Sequence, residues 1–182
     1  MPYSTVAAVD PLDNRPWAAL ASDTGAAVAP RDDDGIVLNA WAAEDLGVGP
    51  GERVRLAYYE VGPREEIVER EVDLRVDGIA AISGLAADQA LTPEFPGMTE
   101  ARDMSAWDPP FPVDLSRIRA KDEAYWDQYR ALPKAFVTQA RGAAMWTSRF
   151  GSATSVRIGV PPGRVGPRPT CRGPRSFPET RA

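Results

Sequence analysis

Residues 117–158 read RIRAKDEAYWDQYRALPKAFVTQARGAAMWTSRFGSATSVRI and contain two of the five tryptophans, two of the five tyrosines and both lysines. Ile118, Tyr125, Tyr129 and Leu132 recur at helical spacing, and Trp126 widens the same stripe, so the first half predicts an amphipathic helix. Asp114 or Ser116 can cap its start. Arg119 and Glu123 stand four apart and Asp127 and Arg130 three apart, spacings that allow weak pairs along the outer face. Pro133 ends the helix, because its ring denies the preceding residue helical geometry. The chain then leaves as a short strand over 134–139, KAFVTQ, followed by a second short helix over 140–146. Arg149, Phe150 and Gly151 turn it into a last strand over 155–158.

Upstream, residues 1–34 are rich in alanine, proline and aspartate, with a strand near 5–9 and a polar turn at RDDDG, 31–35. The triplet Asp32, Asp33 and Asp34 reads as a solvated run rather than a hard-cation site. A strand over 36–38 leads to Asn39, which can cap a helix over 40–46, and Gly47 ends that helix. After the turn Gly49-Pro50-Gly51, Val54, Leu56 and Tyr58 alternate along a strand over 53–59. Val68, Val72, Leu74 and Val76 face inward, and Glu69, Glu71, Asp73 and Arg75 outward, so 68–76 predicts a half-exposed antiparallel strand. Residues 78–82 continue it past a bulge. Residues 86–112 carry five prolines and little periodicity, and are expected to be a long structureless loop. The fold class is α+β, with a mixed or largely antiparallel sheet, short helices and a long Pro-rich loop.

Composition bounds the chemistry. At 182 residues the chain is one domain's length, 43% hydrophobic and 26% charged. The single Cys171 excludes an internal disulfide and a multi-cysteine metal site. With no histidine, the usual general base and every Ser-His or Cys-His arrangement are missing. No run approaches the roughly 18 apolar residues that span a bilayer, and the first residues lack a basic start and an apolar core, so neither an export signal nor a membrane segment is expected here. Charge is lopsided: residues 1–140 hold 13 basic and 25 acidic side chains, residues 141–182 hold 8 and 1. Of the 24 residues from 159 to 182, 15 are glycine, proline or arginine, a composition that predicts disorder. Arginines without interleaved lysines or aromatics do not make a nucleic-acid signature.

Three blocks of the opening stretch, DEAYWDQYR at 122–130, PKAFV at 133–137 and MWTSRFG at 145–151, resemble the extracytoplasmic region of bacterial FtsX-like (MacB-like) ABC transporter permeases. The likeness extends through PYSTVAA at 2–8, IVLNAWAA at 36–43, LGVGPGERV at 46–54, LTPEFPG at 91–97 and WDPPFP at 107–112. It covers 1–158 as one extracytoplasmic α+β domain and stops where 159–182 begins, a tail of the kind produced when a GC-rich gene is read out of frame. The resemblance implies a non-catalytic module outside the bacterial inner membrane, in a permease that is dimeric when whole. A separate ABC ATPase would drive it through membrane segments, and a periplasmic or envelope partner would meet it. No GxxxxGK[ST] phosphate loop occurs, so the ATPase would be another polypeptide or domain. No cofactor, metal ligand set or nucleic-acid partner is indicated.

Trp107, Tyr125 and Trp126 are the candidate contact residues for a substrate or partner, since aromatics are favoured at recognition sites, although stripes of this spacing also build cores. A free-standing soluble binding module would use the same three. A carboxylate-dependent hydrolase, the enzymatic rival, would need Asp108, Asp122 or Glu123.

Overall fold

The computed structural model describes residues 1–9, 20–62, 64, 66–109, 113–147 and 151–154. The expected strand over 155–158 and the tail over 159–182 lie outside the described residues. Strand β1 is Val6–Val9, β2 Leu20–Ala21, β3 Ala27–Val28 and β4 Gly35–Asn39. Helix α1 (Ala40–Leu46) follows, then β5 (Arg53–Val61), β6 (Ile67–Ala80), α2 (Ala120–Tyr129), β7 (Ala135–Thr138) and α3 (Gln139–Trp146). The result is an α+β fold: a mixed five-stranded sheet in the order β1-β7-β4-β6-β5, and a separate antiparallel pair β2-β3.

All five residues of β4 are buried, because this strand runs through the middle of the sheet and is covered on both faces. Ile36 and Leu38 pack on one face with Leu74, Val76, Ala135, Val137 and the α1 alanines 42 and 43. Val37 packs on the other with Phe136, Ala7, Leu20 and Ala80. Two of the strand pairings are parallel, β1 with β7 and β4 with β6; β7 runs antiparallel to β4, and β5 to β6. A register shift between β4 and β6 pairs Ile36 with Val76 but Val37 with Gly78, so Asp77 is an extra residue. Because side chains alternate with a period of two, that one residue turns β6 over. Val76 joins the first cluster, while Ala80, an even number of residues later, joins the second.

Asn39 caps α1 by accepting from the Ala42 N–H at 2.8 Å, and Gly47 ends the helix in the left-handed region at φ 66. Helix α3 lies against β1 closely enough that a Cβ on Gly142 would collide with the Ala8 side chain. Its far end places Trp146 edge-on to Tyr58 of β5, ring centroids 5.8 Å apart. One helix of eight residues, about 12 Å long, therefore reaches both edge strands of the sheet.

Residues 84–109 depart from the expected structureless loop. They hold three 3-10 turns, Gly84–Ala87, Gln89–Leu91 and Met104–Ala106, and Asp88 and Asp103 cap the last two by accepting from the Ala90 and Ala106 N–H groups. Leu85 and Ala86 enter the sheet core. Gly97 sits at φ 82 with its carbonyl accepting from Asp108 N–H at 2.8 Å, and the Asp108 carbonyl fills the place a Cβ would take.

The start of α2 also differs. Asp114 accepts from Ser116 N–H and caps a separate 3-10 turn, Leu115–Arg117. The helix begins three residues later, where Asp122 reaches back to the Arg119 N–H at 3.0 Å. The predicted surface pairs are replaced by other partners. Arg119 pairs with Asp122 and Asp45 rather than Glu123, and Glu123 accepts from the Met104 N–H. Arg130 donates to the carbonyls of Ala101 and Arg102 rather than meeting Asp127. An exposed pair along a helix contributes only about 0.3–0.5 kcal/mol, so such a pair yields readily to the buried carboxylates that take Arg119 and to the part-buried Met104 N–H that takes Glu123.

The acidic triplet is engaged rather than merely solvated. Asp32 meets Arg75 at 3.0 Å, Asp33 accepts from the Thr138 hydroxyl, and Asp34 meets Arg141 at 2.5 Å. It ties the loop before β4 to β6, β7 and α3.

Candidate functional site

The turn that leaves α2 generates the site. Arg130 stands at φ 56, reversing the chain, and Leu132, Pro133 and Lys134 bring it back into β7. Residues 132–137 are all buried, so Lys134 enters the interior in an otherwise apolar run. Its backbone is fixed on both sides: its N–H donates to the Thr5 carbonyl and its carbonyl accepts from the Asn39 N–H, each at 2.9 Å.

Two groups of rings stand around this turn. Trp41, Tyr125 and Tyr129 form one, with centroids 4.7 Å and 4.9 Å apart in sequence. Tyr3, Trp107 and Trp126 form the other, Trp107 edge-on to Trp126 at 5.0 Å. Between them lies a cavity of about 30 Å³, lined by Tyr3, Trp107, Tyr125, Trp126, Arg130 and Lys134 among others. That is room for about two water molecules or one small polar group. The structure thus brings all three sequence-predicted contact residues, Trp107, Tyr125 and Trp126, to one cavity, each less than a tenth exposed.

The polar groups divide into satisfied and unsatisfied. Asn39, fully buried, donates to the Tyr125 hydroxyl at 3.0 Å and the Pro133 carbonyl at 3.1 Å, besides capping α1. The Tyr125 hydroxyl donates on to the Leu132 carbonyl at 3.3 Å. Burial pushes that phenol up to about 12, with Tyr129 adding to the shift against the opposing Asn39 bond. Asp122, whose side chain is wholly buried, holds Arg119 through Nε at 2.6 Å and Nη2 at 2.7 Å. Burial alone would raise its carboxyl, but the Arg119 bonds and the Lys134 charge together hold it below the usual aspartate value. The same guanidinium grips the buried Asp45 of α1, which Lys121 also contacts, so one arginine clamps α1 to α2.

Lys134 is different. Its ammonium lies 4.4 Å from the centre of the Trp41 ring and 4.5 Å from that of Tyr125, against two rings that also pack on each other, with no hydrogen-bond acceptor among the described residues. Burial pushes its amine down to about 8, against the pull of Asp122 and with the help of Arg119. Among the described residues Trp107 Nε1 is the buried side-chain polar atom left without a partner. Trp126 Nε1, by contrast, donates to the Ala101 carbonyl at 3.4 Å, and the Arg130 guanidinium stacks over that ring.

Strain concentrates here too. Among the described residues only Tyr3 and Arg130 combine a side chain with positive φ, 26 and 56, and both line the cavity. Such conformations cost about 1–3 kcal/mol each and persist where surrounding structure over-determines them.

Of the carboxylates a hydrolase would need, Asp108 is exposed, Asp122 is locked to Arg119, and Glu123 is engaged by the Met104 N–H. Lys134 was the residue that pattern reading passed over. Its signal was present: one of only two lysines, directly after Leu-Pro and leading the apolar run Ala135-Phe136-Val137. Among the described residues, no three side chains of the metal-ligating types gather into a site for an ion, and no helix is long and apolar enough to cross a membrane. The chain matches no protein-family model, and a search of curated proteins finds no match to it.

Proposed function

We propose that this chain is the non-catalytic extracytoplasmic module of an ABC transporter permease of the FtsX/MacB kind. It contacts substrate or an envelope partner while an ATPase elsewhere works through membrane-embedded segments. The observation that supports this reading is where the family-like blocks go. Tyr3 from 2–8, Trp107 from 107–112, Trp126 from 122–130 and Lys134 from 133–137 line one cavity, and Trp41 from 36–43 packs behind it on Tyr125 and Lys134. Blocks scattered along a sequence are expected to share a pattern when together they build one packed unit.

The test has two parts. The gene is read in frame on both sides of this coding stretch, and alkaline phosphatase, active only outside the cytoplasm, is fused after Thr147 in the full gene. Several flanking apolar segments of about 20 residues with active phosphatase support the permease reading. Flanks without such segments, or an inactive fusion, overturn it in favour of a free soluble binding module.

A further inference from the structure

We infer that the cavity between the two aromatic groups is a carboxylate-binding subsite, with the Lys134 ammonium and the Trp107 indole N–H as its donors. The inference stands on the cavity alone and does not depend on the permease reading.

One buried unpaired donor, Trp107 Nε1, and one ammonium without an acceptor among the described residues, that of Lys134, belong to residues lining one cavity and define a place for an acceptor. Buried polar groups are overwhelmingly hydrogen-bonded, and a donor left unpaired is costly, so an occupant that accepts from both is strongly favoured. The charge of that occupant is negative. Asp122, the acid on the cavity wall, is already held by Arg119, and the Arg130 guanidinium is spent on two carbonyls and the Trp126 face. Lys134 therefore supplies a positive charge that no carboxylate within bonding distance neutralises.

Size selects the class of anion. A cavity of about 30 Å³ takes a group with about two water-sized atoms. A carboxylate has two oxygens and a phosphate four. The site is also preorganised: the lysine backbone is bonded at both N–H and carbonyl, and its ammonium rests against the packed Trp41 and Tyr125 rings before any ligand arrives.

The experiment follows the Trp107 indole N–H by two-dimensional NMR, assigned through its loss in Trp107→Phe. The wild-type protein is titrated with sodium acetate against sodium chloride at matched ionic strength. A saturable shift of that resonance in acetate, absent in chloride, is expected. Affinity should fall about tenfold or more in Lys134→Met, since a charge-assisted bond is lost, and about three- to tenfold in Trp107→Phe, read through neighbouring resonances.

Trialanine with a free carboxylate and its C-terminal amide separate the sources. Equal binding of acetate and the free peptide, with none of the amide, assigns a peptide C-terminus as an admissible ligand; acetate alone assigns a free small carboxylate.

Should Lys134→Met fold poorly, wild-type binding measured from pH 7 to 9.5 replaces it and must decline as the ammonium is lost. Of the other groups facing it, Asp122 and Arg119 do not titrate in that window, Tyr125 titrates near 12, and the Met1 amine is lowered by burial and by Arg119. A linear response to acetate indistinguishable from chloride, or binding unchanged in Lys134→Met, overturns the inference and leaves a cavity filled by water.

Discussion

Asn39 and Lys134 are joined by a backbone hydrogen bond, both nearly invisible to solvent, and the fold treats their side chains in opposite ways. Asn39 spends its amide fully: the oxygen takes the Ala42 N–H, and the nitrogen gives to the Tyr125 hydroxyl and the Pro133 carbonyl. Lys134 spends nothing on a hydrogen bond and is held by two ring faces. A buried polar group with every valence met is a joint. One with its donors idle beside a cavity is an opening.

The contrast can be broken at four points, in order of size. Trp126→Ala removes a 4%-exposed ring that walls the cavity and touches Trp107, and should destabilise the chain by about 3–5 kcal/mol in urea unfolding. Unchanged stability would show that the aromatic wall is dispensable to the fold. Asn39→Leu keeps the volume but orphans the Ala42 N–H and the Pro133 carbonyl, so a loss of about 2–3 kcal/mol is expected from the same measurement.

Lys134→Met should raise stability by about 2–3 kcal/mol at pH 7, because the lowered amine reports a net cost of burying the charge that the ring contacts do not offset. Its mark is the pH profile. The unfolded lysine keeps its proton to near 10.5 and the folded one only to about 8. Between those values the unfolded state binds more protons, so wild-type stability rises with pH, by about 2 kcal/mol from pH 8 to 10. Below pH 8 both states are charged and the cost of burial is fully present. In the methionine variant the rise should vanish, as denaturant midpoints at pH 7.5 and 10 would show. Smallest of all, Trp107→Phe deletes an unpaired donor together with part of a ring, and should move stability by no more than about 1 kcal/mol. A larger loss would mean that the indole N–H has a partner after all.

Much of the fold was readable because its signals are local. Asn39 before an alanine-rich segment and Gly47 after it delimit α1, whereas α2 stops at Tyr129, short of the Leu132 end expected from Pro133, because Arg130 turns to positive φ and reverses the chain first. The alternation in β6 was equally plain, and so was its continuation past a bulge. The parallel pairings of β1 with β7 and β4 with β6 were not legible, because partners as distant as Val6 and Ala135, or Gly35 and Arg75, leave no mark in either segment. The 3-10 turns of residues 84–109 were missed because three-residue elements carry no amphipathic period, although Asp88 and Asp103 stand where caps belong. Trp107, Tyr125 and Trp126 could be named as a set from residue type. Lys134 could not, because a lysine in an apolar run is ambiguous until its neighbours in space are known. Arg119 likewise faces an acid three residues on and another 74 residues back, and spacing rules see only the first.

The extra residue at Asp77 bears on how this sequence can change over generations. Because that one position lets β6 serve both clusters, the strand is two reading phases spliced together, one up to Val76 and another from Gly78. Substitutions on either side are ordinary packing changes, answerable one at a time. Losing a single codon at 77 would instead transpose inside and outside for the strand's last three residues at once, so lineages carrying this domain should vary at the splice in residue type far more readily than in length.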